Sequence, residues 1–272
     1  MTDSSSDRVF SGSVAEVYEA EFVPLLFEPY APLLVQRLPT SGLSRVLEVA
    51  AGTAVVTRAM AATLPSSVSI VATDLNWGML AQATAAPILR GVDWAQADAT
   101  HLPFSDGAFD AVVCQFGAMF FPDKPAAFAE ARRVLRPGGV FAFSVWDRIE
   151  DNELADCVTT ALREVFPNDP PAFLARTPHG YGDRSRVARD LAAAGFAELA
   201  ETDTVALRSR AASAEAVARA FCAGSPLAQE IERQKGAGIS AAIVASARAI
   251  VERFGSGSVD AKMQAHLIRV VR

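Results

Sequence analysis

Residues Arg45-Val46-Leu47-Glu48-Val49 form a short apolar run carrying one acid, and the run opens directly into Ala50-Ala51-Gly52-Thr53-Ala54. An Ala-rich helical pattern begins near Val55. A strand, a turn of small residues and a helix N-terminus in this order constrain the chain more than any other feature. Small side chains let a ligand approach the turn's backbone closely, and the first helical turn offers unpaired N–H groups to it. A dinucleotide site would read G-x-G-x-x-G. Those positions hold Ala50, Gly52 and Ala54 or Val55, so that fingerprint is not met. A pyrophosphate would also be repelled by Glu48 at the strand tip, where an acid suits a ligand carrying a cationic amino group. The alternative is a plain strand-to-helix turn with no ligand.

The rest of the chain alternates strand and helix patterns. Val14 to Leu38 reads as helix, broken near Pro24, Pro29 and Pro32 and crowded with apolar and aromatic residues, Tyr18 and Phe22 among them. Preceding the first strand, it must pack on the edge or over the top of the sheet. Helix is expected over 54–64, strand over 69–73 ending at Asp74, and helix from Asn76 through Met79 towards Ala86, stopped by Pro87. Strands follow at 92–97 and 109–114, then a helix at 125–135, the turn Arg136-Pro137-Gly138-Gly139 and a strand at 140–146. A helix at 152–166 leads to a Pro-rich loop, 167–182, carrying Phe173, His179 and Tyr181. A helix at 185–194, a strand at 198–207, an Ala-rich helical stretch at 209–257 and a strand at 266–271 complete the chain. The expected fold is α/β: a Rossmann-like seven-stranded, mostly parallel sheet with helices on both faces and an antiparallel last strand. Residues 1–40 form a helical cover, 41–208 the core, 209–260 a helical insertion and 261–272 the last strand.

Composition narrows the function. The chain has 272 residues, 51% of them hydrophobic, enough for one sizeable core. A net charge of -6 and a pI near 5.2 argue against nucleic acid as a partner. Arg132, Arg133 and Arg136 form the one dense basic patch and read as a solvated helix face. Cys114, Cys157 and Cys222 are too few and too scattered for a disulfide framework or a zinc site, so no metal is expected and a reducing cytoplasm fits. The polar start from Met1 to Arg8 lacks a signal-peptide core, and no apolar run reaches membrane-spanning length. Either a monomer or a homodimer is compatible with these features.

The most specific segment is Asp98-Ala99-Thr100-His101-Leu102-Pro103-Phe104-Ser105-Asp106-Gly107-Ala108-Phe109-Asp110. Together with the Glu48 turn, Asp74 and the run Leu135-Arg136-Pro137-Gly138-Gly139, it resembles the class I S-adenosylmethionine-dependent methyltransferases. Their motif I is acid-x-G-x-G-x-G, here with two of three glycines replaced by alanine. Their D-A-x-x-L-P-F-x-D-x-x-F-D pattern is matched at every defined position. The resemblance covers Arg45 to Trp146 and is nearest to the small-molecule branch that includes the ubiquinone and menaquinone biosynthesis methyltransferases. It implies S-adenosylmethionine as cofactor, with Glu48, Ala50, Gly52 and Thr53 at its first turn. Asp74 would accept the ribose hydroxyls, or else cap the next helix, with Leu75 and Met79 alongside. Asp98 and the Ala99 N–H would meet the adenine edge. Gln115 and Phe116, after the fourth strand, would flank the methionine end. Tyr18 either touches the cofactor or packs in the core.

The run after the fourth strand lacks the Asn/Asp-Pro-Pro-Tyr/Phe motif of many nucleic-acid and protein N-methyltransferases. A small, partly apolar acceptor is expected, in a pocket lined by Phe22, Met119, Phe120, Trp146, Phe173 and Phe221. A base is needed only if the acceptor must lose a proton, and His179 and Tyr181 are the candidates. His101 reads as exposed and His266 as structural. A non-catalytic or regulatory protein that binds the same cofactor, and a nicotinamide or nucleotide-sugar enzyme on a related sheet, are the competing readings.

Overall fold

The first strand, β1 (Arg45–Val49), lies between β2 (Ser69–Asp74) and β4 (Phe109–Gln115), and all three run parallel. β3 (Val92–Gln96) extends the parallel set beyond β2, and β5 (Leu135–Trp146) extends it beyond β4. β7 (Val259–Val271) pairs antiparallel with both β5 and β6 (Glu201–Ala211), giving the order β3-β2-β1-β4-β5-β7-β6. The computed structural model describes residues 17–85, 91–234 and 238–272. The expected tail Met1–Asp7, the helix start at Val14 and the stop at Pro87 lie outside the described residues.

β1, β2 and β4 are buried along nearly their whole lengths, which explains their continuous apolar runs. β6 and β7 are longer than their sequence pattern indicates. β7 begins at Val259 rather than at the expected 266, and β6 (Glu201–Ala211) is shifted along the chain from the expected 198–207. Val259, Ala261, Met263 and Ala265 are buried while Asp260, Lys262 and Gln264 face outward. That two-residue alternation, interrupted by charge, lies between the expected helical stretch ending at 257 and the expected strand starting at 266.

Helices flank the sheet: α2 (Ala31–Val35), α3 (Val55–Thr63), α4 (Trp77–Thr84), α5 (Lys124–Val134), α6 (Glu153–Val165), α7 (Phe173–Arg176) and α8 (Arg184–Ala193). Between β6 and β7 stand α9 (Ala214–Ala223), α10 (Leu227–Glu232) and α11 (Ile239–Phe254). No helix among the described residues is long and apolar enough to cross a membrane. The N-terminal cover, α1 (Tyr18–Phe27), winds as a π-helix with Pro24 inside it. The Glu28 N–H donates to the Val23 carbonyl at 3.0 Å, a five-residue step. Tyr30, fully buried, donates its hydroxyl to the carbonyls of Val205 (3.0 Å) and Met263 (3.2 Å), and Ser209 donates to the Leu25 carbonyl at 2.8 Å. These bonds seat the cover on β6 and β7.

The basic patch is not a solvated face. The Arg133 guanidinium bonds Glu130 (2.7 Å), Asp106 (2.8 Å) and the carbonyls of Phe104 (2.7 Å) and Leu102 (3.0 Å). Glu130 in turn accepts the Leu102 N–H at 2.8 Å. Arg136 pairs with Asp110 at 2.8 Å, and Asp110 accepts the N–H groups of Ser44 (2.5 Å) and Arg45 (2.7 Å). The segment from Leu102 to Asp110 is therefore an internal clamp that holds β4 beside the start of β1. Removing the Asp110 carboxylate takes the acceptor from two part-buried amides and from Arg136, at a cost of about 1–3 kcal/mol. Asp110→Ala is expected to lower the unfolding free energy in urea by about 2–3 kcal/mol. A change below about 0.5 kcal/mol, the range of neutral surface substitutions, would show that the clamp contributes nothing.

Candidate functional site

The turn after β1 has three left-handed residues in five: Ala50 (φ 56°), Gly52 (φ 57°) and Ala54 (φ 76°). These are the positions where the family motif has glycine, and the reason is now visible: each needs positive φ. The turn is tied to β2 on both sides. The Ala51 N–H donates to the Thr73 carbonyl and the Gly52 N–H to Asp74 Oδ2, both at 2.9 Å. Asp74 Oδ1 accepts the Asn76 N–H at 2.8 Å. Burial raises the Asp74 pKa, and the amide donors oppose that shift.

Glu48 does not face the ligand side of the turn. Its side chain is 1% exposed, turned under the turn towards α3, and accepts the Thr57 hydroxyl at 2.5 Å. Burial, with the Asp74 charge adding to it, pushes its pKa up to about 8. The expectation that its carboxylate faces a cationic ligand is corrected in position: the side chain is buried under the turn and does not line the cleft. Thr53 is also buried, with a hydroxyl that has no hydrogen-bond partner among the described residues.

An open cleft lies at the carboxyl ends of the strands. Of the residues expected there, Tyr18, Ala50, Leu75, Met79, Asp98, Ala99, Gln115 and Phe116 line it. Glu48, Gly52, Thr53 and Asp74 stand behind this wall. A Cβ on Gly52 would nevertheless meet Met79 Cε at 3.6 Å and the Tyr18 hydroxyl at 3.9 Å, so the turn abuts the cleft. Asp98 Oδ1 accepts both the N–H and the hydroxyl of Thr100, each at 2.8 Å.

Sequence reasoning did not name Val49, Asn76, Ala97, Gly117, Phe121 and Pro122 as site residues, and they also line the cleft. Gly117 carried the one usable signal, a glycine just past a strand end. A Cβ there would fall 2.5 Å from Ala50 Cβ and 2.8 Å from Cys114 Sγ. Gln115 donates Nε2–H to the Phe27 carbonyl at 3.2 Å, which leaves its buried Oε1 without a partner among the described residues. The wall thus offers an apolar bed at Leu75 and Met79, an acid at Asp98 and an orphaned acceptor at Gln115. A flat heterocycle with a donor edge, joined to a chain ending in an ammonium group, fits these features.

A second cavity adjoins the cleft and shares Tyr18, Phe116 and Phe120 with it. Phe22, Met119, Phe120, Trp146, Phe173 and Phe221, the six residues expected around an acceptor, all line it. Phe116 (φ 51°) stacks on Trp146 with centroids 3.9 Å apart and planes 7° apart, forming the partition between the two spaces.

His179 lies on the wall of the second cavity, half-buried, with Nδ1 2.8 Å from the Asp147 carbonyl oxygen. Desolvation by burial holds its pKa down to about 4. Tyr181 lies in neither space. Its hydroxyl donates to Asp190 at 2.6 Å and its ring carries Lys124 at 4.9 Å, so the structure places it away from any acceptor and corrects its candidacy as a base. His101 is exposed. His266 is buried between Thr204 (2.9 Å) and Asp147 (3.3 Å). Cys114 is strand core, with burial pushing its thiol up to about 12.

The family model described as a methyltransferase domain matches residues 47–143. A demethylmenaquinone methyltransferase of Mycolicibacterium vanbaalenii is 34% identical over 173 residues, covering 60% of this chain and 73% of that protein. A malonyl-[acyl-carrier protein] O-methyltransferase of Geobacter sulfurreducens is 38% identical over 156 residues, covering 56% of this chain and 55% of that one. In fold, the chain is similar to a candidate methyltransferase from Bacillus halodurans, with a TM-score of 0.57 at 20% identity, covering 89% of this chain and 97% of that one.

Glu48 gives the turn a pH signature. Its folded-state pKa lies above the ordinary value of 4.5, so the protonated form is the one that favours folding. That contribution is complete below about pH 4.5 and is lost as the pH rises towards 8. Glu48→Gln, neutral throughout, is expected to match wild type near the lower limit. By pH 7.5 it should be more stable by on the order of 1–3 kcal/mol. Scanning calorimetry of both proteins across this range reads the difference, and parallel curves would refute the assignment.

Proposed function

Because this chain belongs to the class I S-adenosylmethionine-dependent methyltransferases, we propose that it moves a methyl group to a small, partly apolar metabolite seated in the aromatic cavity. One observation carries this reading: the cleft and the cavity meet at Phe116, with Tyr18 and Phe120 completing the shared wall. The cofactor is S-adenosylmethionine, and it supplies a sulfonium-bound methyl group. Leu75 and Met79 form the bed for the adenine, with Asp98 accepting from its amine and the Ala99 N–H donating to the ring. Gln115 Oε1 receives the ammonium of the methionine end, which gives that buried oxygen its missing partner. Asp74 keeps the Gly52 turn in place beside the ribose, and Ala50 and Gly117 pack tightly enough for the backbone to form that wall. Glu48 and Thr53 support the turn from behind.

Methyl transfer is an in-line displacement, so alignment of nucleophile, carbon and sulfur is the main task. Orientation of this kind lowers barriers by up to about 7–11 kcal/mol. Phe116, fixed against Trp146, and Tyr18, folded down from α1, supply the walls that align the partners and exclude water. The relatives carry different acceptors in their names, demethylmenaquinone in one and malonyl-[acyl-carrier protein] in another. The acceptor class is therefore drawn from the cavity: its aromatic lining favours an apolar ring over a charged or extended acceptor.

Calorimetric titration with S-adenosylhomocysteine tests the cofactor assignment. Wild type is expected to bind it, and Asp98→Ala and Gln115→Ala to bind it about 1–3 kcal/mol more weakly through unpaired polar groups. A wild-type protein that shows no binding would overturn the reading.

A further inference from the structure

β6 closes one side of the sheet, and its outer edge is open. The hydrogen bonds of β7 show which groups lie along that edge. The Gln264 N–H donates to Asn152 Oδ1 at 3.0 Å and the Gln264 carbonyl accepts the Asp147 N–H at 3.1 Å, while the Lys262 N–H donates to Glu153 at 2.6 Å. Gln264 and Lys262 thus turn their backbone away from β6, and Met263 and Ala265 turn theirs towards it. These two stand opposite Leu207 and Val205. The odd-numbered residues of β6 therefore carry the bonds to β7. Thr202, Thr204, Ala206, Arg208 and Arg210 direct their backbone groups outward. Among the described residues no other strand and no loop backbone meets them there.

An open edge of this length invites a further strand, and charged side chains are the common protection against one. On β6 the charges are sorted by sign. Glu201 and Asp203 stand at one end, Arg208 and Arg210 at the other, and Thr204-Val205-Ala206-Leu207 between them carry none. An antiparallel strand of the same sequence brings an acidic end beside a basic end on both sides of the centre. Two apolar features flank the same edge. Leu199, two residues before β6, is 96% exposed. Just past β6, Ser213 and Ala214 open a groove between α9 and α11 that Val244 and Val251, both exposed, also line.

We propose that β6 pairs with β6 of a second copy of this chain, antiparallel about a two-fold axis at Ala206, so that two seven-stranded sheets become one. The register is the one that uses the whole free ladder: Thr202 opposite Arg210, Thr204 opposite Arg208 and Ala206 opposite its own counterpart. No like charges face each other in it. Moving the axis to Arg208 would set arginine against arginine, and moving it to Asp203 would set acid against acid. In the same register Leu199 falls opposite Ser213 of the second copy, at the mouth of the groove, and symmetry repeats the contact. Each copy covers the other's exposed leucine, and the closed two-fold leaves no β6 edge for a third chain. β6 is also the strand that holds α1, through Val205 and Ser209, so the paired edge backs the cover of the cleft.

Sedimentation velocity and light scattering test the pairing at concentrations up to about 100 μM, where an interface of micromolar affinity is populated. Wild type is expected to give twice the chain mass of 28.8 kDa. Ala206→Pro removes an outward N–H that β7 does not use, and proline is tolerated at such edge positions. It should raise the dimer dissociation constant by more than about tenfold with the circular dichroism spectrum unchanged. Leu199→Glu carries the same expectation without touching the ladder. Ala206→Cys should be linked to its counterpart by a short bismaleimide, while wild type, whose three cysteines are buried, should not. A monomeric wild type over this range would overturn the proposal. So would a dimer that survives both Ala206→Pro and Leu199→Glu, or one whose Ala206→Cys variant does not cross-link.

Discussion

The carboxylate of Asp74 is the fastener on which the site depends. One oxygen holds the Gly52 amide and the other the Asn76 amide, so a single side chain joins the turn after β1 to the end of β2. The turn needs such a fastener. Two of its three left-handed residues are alanine, and that conformation costs about 1–2 kcal/mol for a residue with a Cβ. Hydrogen bonds to a charged group contribute about 1.5–3 kcal/mol each. Two of them are enough to offset two strained alanines and still leave the turn rigid. The glycines of the motif are thus dispensable where β2 supplies the restraint, and the left-handed geometry itself is what the chain retains.

Much of the fold was legible in the sequence because the parallel strands are buried on both faces and read as short apolar runs between turn residues. The antiparallel pair was legible only in part. The charges at Asp260 and Lys262 hid the start of β7, and no local pattern shows that a neighbouring strand will give a stretch its meaning. The cleft was legible at the strand ends: Asp98, placed by the family pattern, and Gln115, placed after the fourth strand, both line it. It was not legible where orientation decides. Glu48 sits at the expected place in the chain, yet its side chain turns inward to Thr57. Tyr181 and His179 are two residues apart on one loop, and only one of them reaches the cavity.

The π-helical cover shows another limit of sequence. Pro24 has no N–H to give, and a helix widened to a five-residue step passes it without breaking. The wider helix delivers Tyr18 over the turn and Phe22 over the cavity while Tyr30 stays pinned to β6 and β7. An ion pair between Glu19 and Arg58 of α3 (3.1 Å) links the cover directly to the first crossover helix. The cover and the core therefore bound the same space from opposite sides.

Phe116 makes that space indivisible. Its left-handed backbone and its stack on Trp146 fix one ring as the wall of two chambers, which in the proposed reading would hold a molecule common to all reactions of this chemistry and a molecule particular to this protein. Across generations of sequence change, those chambers cannot be refurnished separately. A substitution that reshapes the particular chamber by moving the ring also disturbs the common one. Phe173, Leu174 and Phe221 line the aromatic chamber and not the cleft, so a change in their size reshapes the one chamber without altering the lining of the other.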